Sequence, residues 1–214
     1  SPLFSEAERK IIDNHLLRYA RGAEGYRYVA NTSGNVPSNH ETRAALGLML
    51  SADYFERTYG LSETSQWKAA VKRVFEPFAS TPKPMEDNHY HQYSTIEDAA
   101  IYSLFTGDMR FFTNGMARLA ADRYIGLMSN RGTPVANLYL DAYFGAFLRL
   151  CAYVYNDGKY LYWEDRLGSV EWMSDQPLRK FAAGIEVREP DDILGVFVAP
   201  ITSTFYRSNN KYRS

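Results

Sequence analysis

Cysteine is nearly missing from this chain: Cys151 is the single one in 214 residues. That excludes an intrachain disulfide framework and a multi-cysteine zinc site. Its apolar helical surroundings point to a buried, inert thiol. No apolar run is long enough for a membrane span, and no signal peptide is visible ahead of Ser1-Pro2-Leu3-Phe4. An excess of one charge is also lacking. The 24 Lys and Arg stand against 25 Asp and Glu, a net charge of −1. A protein that binds by neutralising many phosphates would be basic, so nucleic acid is excluded as the main partner. An anionic sugar, which needs only a few local cations, is not. There is no phosphate-binding glycine loop, no serine-nucleophile elbow and no paired-cysteine motif.

What is abundant is aromatic surface. Aromatic residues make up 15% of the chain, and 17 of them are Tyr. An apolar ring with a polar tip suits a wet sugar-binding groove and a helix interface equally well.

The apolar spacing predicts mainly helix, arranged as hairpins. Ser5 and Glu8 have capping-box spacing and open a helix to Arg21. The segment Gly22–Pro37 reads as a loop. Ser38 and Glu41 repeat the box and open a helix that stops near Gly60. A third helix runs from about Glu63 to Ala79, with Pro77 ending or bending it. After a loop over Ser80–Tyr93, Ser94 and Glu97 form another capping box. The helix they open turns at Gly107-Asp108 and returns over Met109–Met128. A third unit follows the loop Ser129–Ala136. It runs Asn137–Tyr155, turns at Asn156-Asp157-Gly158, and returns over Lys159–Met173. The turns at Gly60, Gly107 and Gly158 are 47 and 51 residues apart, which reads as a loose two-helix repeat. Such hairpins build an α-solenoid or irregular bundle, or close into an (α/α) toroid with a cleft at one rim. Near the end, Ile193–Pro200 and Thr202–Tyr206 are short, β-branched and apolar, and are expected to be strands. The expected division is a helical domain over 1–190 and the start of a β-domain over 191–214.

Candidate chemistry lies at the loop-to-helix junctions. A helix N-terminus offers free N–H groups and the positive end of the dipole. Asn39 and His40 fall in the first turn after Ser38, and Tyr93 stands just before Ser94. If the two helices are equivalent members of successive hairpins, they run parallel, and all three residues meet at one rim. Such a trio suits β-elimination from a uronate. Asn39 and His40 neutralise the carboxylate, and a Tyr takes a proton and returns one to the leaving oxygen. Bland readings stand beside this one. Polar residues are common after a cap, Tyr93 fits a hydrophobic staple, and His89-Tyr90-His91 fits a surface loop or half a metal site. Glycoside hydrolysis would need two carboxylates. Asp141, Glu86-Asp87 and Glu97-Asp98 are available, with Glu97 read as a cap and Glu86-Asp87 as a solvated loop. A non-catalytic scaffold or glycan-binding module is the third alternative, and it expects Asn39, His40 and Tyr93 to lie far apart.

The run Ser38-Asn39-His40-Glu41-Thr42-Arg43-Ala44-Ala45-Leu46-Gly47, the segment His89-Tyr90-His91-Gln92-Tyr93-Ser94-Thr95, and Thr106-Gly107-Asp108 between two helices carry a resemblance. The chain resembles the heparinase II/III-like and alginate-lyase-like toroid polysaccharide lyases, as scattered motifs over roughly 1–207. The resemblance implies carboxylate neutralisation by Asn39 and His40 and an acid/base role for Tyr93. His91, Arg43 and His89 are weaker candidates for substrate contact. It also implies a secreted or periplasmic enzyme on an acidic polysaccharide, with no cofactor and no metal in this part. Enzymes of this kind have more toroid hairpins and a following β-sandwich that contributes a further His. No His lies beyond His91 here, so the chain is expected to be part of a larger enzyme.

Overall fold

The computed structural model describes residues 3–32, 37–82, 89–126, 142–167 and 184–190, apart from the side chains of residues 89, 90, 142–144, 166 and 167. The described part is mainly helical, as the apolar spacing requires. The expected strands at 193–200 and 202–206, the expected β-domain over 191–214, the loop at 129–136, and the carboxylates Glu86, Asp87 and Asp141 lie outside the described residues.

Helix α1 spans Glu6–Arg21 and opens with the Ser5–Glu8 capping box. Its apolar residues face outward more than their spacing suggests. Asp13 is buried instead, accepting hydrogen bonds from the hydroxyls of Tyr54, at 2.8 Å, and Tyr59. Ile11, Ile12, Leu16 and Tyr19 remain exposed. A short helix, α2 (Tyr26–Ala30), forms inside the segment expected to be loop. Helix α3 (Asn39–Tyr59) carries the Ser38–Glu41 box and ends at Gly60, whose φ of 63° is the left-handed cap expected there. Helix α4 (Thr64–Phe75) returns along α3 and runs into a 3₁₀ turn, Glu76–Ala79, at Pro77.

Helix α5 begins at His89, not at Ser94, and runs to Thr106. The Ser94–Glu97 spacing is therefore not a cap. The Ser94 and Thr95 hydroxyls donate backwards to the His91 carbonyl, at 2.9 and 2.7 Å, which satisfies them within the helix. The return is broken as well. Gly115 adopts φ 80°, splitting the expected helix into α6 (Arg110–Thr113) and α7 (Met116–Ile125). Helices α8 (Ala142–Tyr155) and α9 (Lys159–Leu167) form the third hairpin. There the left-handed residue is Asn156, with φ 50°. Gly158 serves another purpose. A Cβ on it would lie 1.8 Å from the Glu186 carbonyl oxygen, so the residue must be glycine for segment 184–190 to pack on this turn. Arg188 secures that segment through its N–H to the Gly158 carbonyl and its guanidinium to Asp157.

Aromatic contacts fix the helix directions. Phe55 meets Trp67 across the first hairpin, so α4 is antiparallel to α3. Phe75, at the end of α4, stacks on Tyr102 of α5, while Thr42 and Arg43 of α3 meet Asp98 and Glu97 of α5. Position 102 is therefore level with about position 47, and 98 with 42, and the numbers rise together: α3 and α5 are parallel. Tyr124 near the end of α7 packs on Tyr93 near the start of α5, an antiparallel return. Tyr155, at the end of α8, packs on Phe112 beyond the end of α5, so α8 runs the same way as α5. Helices α3, α5 and α8 form a row of neighbours backed by α4, α7 and α9. Trp67, Tyr93, Tyr124, Phe147 and Tyr160 are fully buried between these elements. Removing a ring such as Trp67 would cost about 3–5 kcal/mol. Cys151 is buried in the same core, and burial holds its thiol well above its ordinary pKa.

Candidate functional site

The polar residues singled out from the sequence gather along the seam where α3 and α5 begin. Asn39 opens α3 and is partly buried, and His40 beside it is exposed. One turn further in, Arg43 crosses the seam. Its Nη2 lies 3.3 Å from Glu97 and its Nη1 lies 3.1 Å from Asp98. Thr42 donates its hydroxyl to Asp98 Oδ2 at 2.8 Å and sits 3.4 Å from the Asn39 carbonyl oxygen. Arg43, expected to touch substrate, is thus engaged by two carboxylates of its own chain.

Spacing locates Tyr93. Arg43 and Glu97 are 54 residues apart and in contact, and Asn39 and Tyr93 are also 54 apart. On parallel helices an equal offset puts the Asn39/Tyr93 level one turn, about 6 Å, nearer the helix starts than the Arg43–Glu97 contact. Tyr93 lies about 40° around α5 from Glu97, one turn before it. It is inside the helix, however, and not at its entrance. Its side chain is 0% exposed, with the ring set edge-to-face on Tyr124 at 4.6 Å between centroids. The Tyr124 hydroxyl donates to Gln92. His91 is half-buried in the first turns of α5. It lies about 20° around the helix from Asp98, on the side that meets α3. His89 is the first residue of α5, and its side chain lies outside those described.

The most perturbed groups in the seam are Glu97 and Asp98, a carboxylate pair whose Glu97 the sequence spacing assigns to a cap. Asp98 is completely buried and Glu97 nearly so. Burial pushes the Glu97 carboxyl up to about 8; Arg43 opposes this and the Asp98 charge adds to it. Burial also pushes Asp98 up to about 7, against Arg43 and the Thr42 hydrogen bond. Both are poised to hold or release a proton near neutral pH, as acid/base groups must be. The Ser94-x-x-Glu97 spacing hid them by offering a local explanation for Glu97. The signal that was available is two adjacent acids within the apolar run Ile96–Leu104. Among the described residues, no group of three or more His, Cys, Asp or Glu side chains converges as a metal site, and no helix is long and apolar enough to cross a membrane.

Comparison with known proteins found no matching family model, no similar curated protein and no similar solved structure.

Proposed function

We propose that this chain is the helical part of a polysaccharide lyase that cleaves uronate-containing glycans by β-elimination. The observation that carries the reading is the shared register of α3 and α5, which sets Asn39 and Tyr93 at one level beside a seam of acid/base groups. In this reading the Asn39 amide and His40, at the positive end of α3, neutralise the uronate carboxylate and make the adjacent carbon acidic. A base removes that proton, the C–O bond to the leaving sugar breaks, and an acid protonates the departing oxygen. The product carries a new carbon–carbon double bond. Tyr93 is the candidate acid/base, and the reading requires its hydroxyl to be uncovered when polymer is bound. His91 and His89 are the candidates for further substrate contact. The motif resemblance supports the rest of the proposal: closure of the hairpins into an (α/α) toroid, a following β-sandwich domain, and a secreted or periplasmic location where acidic polysaccharides are met.

The seam also favours a second reading. Glu97 is no cap, and a buried carboxylic acid that stays protonated near neutrality beside a second carboxylate is what a glycoside hydrolase uses as its general acid. Ultraviolet absorbance on a panel of uronic-acid polysaccharides separates the two. Elimination gives a rising absorbance from the conjugated double bond. Reducing ends without that absorbance would instead establish hydrolysis, and silence in both signals would leave a binding module.

A further inference from the structure

The Glu97–Asp98–Arg43 cluster carries an inference that needs no substrate. Two carboxylates are buried in the α3–α5 seam, and among the described residues Arg43, with its side chain 43% exposed, is the cation that meets both. Thr42 contributes a neutral hydroxyl to Asp98. Among the described residues, cations on the other elements packed around α5 have partners of their own. Arg149 of α8 is held by Glu164, Lys159 of α9 by Asp122, and Arg123 of α7 lies over the Tyr124 ring. With both acids ionised, two negative charges would stand against the one Arg43 guanidinium among the described residues, an imbalance a buried site resists by retaining a proton.

We propose that Glu97, Asp98 and Arg43 form a proton-operated catch: a proton held on the carboxylate pair keeps α3 and α5 closed together, and its release at alkaline pH loosens the seam. The elevated positions of both carboxyls agree with this. The direction follows from linkage. The unfolded chain gives up these protons in the ordinary carboxylate range, while the folded chain holds them until about pH 7 and 8. Between those limits the folded state binds more protons, so its stability falls as pH rises and levels off above the higher value. The catch lies one turn inside the Asn39/Tyr93 level, so its release would also loosen that rim. This last consequence rests on the function proposed above, and the catch itself does not.

The test is a carboxyl-carbon NMR titration of the chain, assigned with Glu97→Gln and Asp98→Asn, together with thermal unfolding from about pH 5 to pH 9. At least one of the two carboxyls is expected to titrate above about pH 6. The unfolding temperature should fall by several degrees across the range, and Glu97→Gln should remove about half of that fall or more. Both carboxyls titrating below about pH 5 would overturn the proposal, as would an equal fall in the wild type and both variants. If neither variant folds, resonances are assigned by through-bond correlation and the wild-type titration decides alone. Neither readout involves a polysaccharide, so failure of the lyase reading and failure of the catch are distinguishable.

Discussion

The α8–α9 hairpin and the α3–α5 seam each bring arginine to nearly buried acid, in different ratios. In the hairpin, among the described residues, Arg149 meets the Glu164 carboxylate, and both side chains are about equally covered, at 10% and 12% exposure. In the seam, Arg43 is half in solvent and faces two carboxylates. A balanced pair can be fully ionised and serve to hold two helices together. An unbalanced one must keep a proton or leave charge uncompensated. The difference suits the hairpin to a framework role and makes the seam the proposed place for chemistry.

Removing the cation on each side probes this contrast most strongly. Arg149→Met should cost about 3–5 kcal/mol in urea unfolding, because it leaves Glu164 buried without its partner. Arg43→Met should cost less, about 2–3 kcal/mol, since water already screens its exposed guanidinium. That loss should be larger at pH 8.5 than at pH 5, where the Glu97 and Asp98 carboxyls are both protonated. An Arg43→Met cost unchanged across that range would remove the contrast. The turn of the α8–α9 hairpin offers a smaller effect. Gly158→Ala drives a Cβ into the Glu186 carbonyl and should displace segment 184–190 at a cost of about 1–2 kcal/mol, seen as faster proteolytic cleavage there. Smallest is Asn156→Gly, which relieves a left-handed φ of 50° and should raise stability by about 0.5 kcal/mol in the same urea experiment.

Elements governed by nearby residues were legible in the sequence. The boxes at Ser5–Glu8 and Ser38–Glu41 and the left-handed caps at Gly60 and Gly107 form where their spacing indicates. The Ser94–Glu97 spacing is the same pattern put to another use. A serine can bond back to a carbonyl inside a helix as readily as it caps one, and the pattern does not record which. Asp87-Asn88, directly before His89, was an equally good start signal. Gly158 was read as a turn glycine, but its need for glycine comes from Glu186, 28 residues later in the sequence. Asp98 is similar: its place in the seam is set by Thr42 and Arg43, more than 50 residues earlier. The parallel course of α3 and α5 follows from the sequence only if the two helices are equivalent members of the hairpin repeat, and the contacts between them agree with it. Tyr93 was expected at a helix entrance and lies a full turn inside, covered by α7.

The most direct test of the central claim is the elimination assay on the responsive polymer with Tyr93→Phe, with circular dichroism confirming an intact fold. The proposed role predicts that double-bond formation falls at least about 100-fold while the helical signal is unchanged. Elimination at nearly the wild-type rate would contradict it and leave the buried Tyr93 ring as a packing residue of the α5–α7 hairpin.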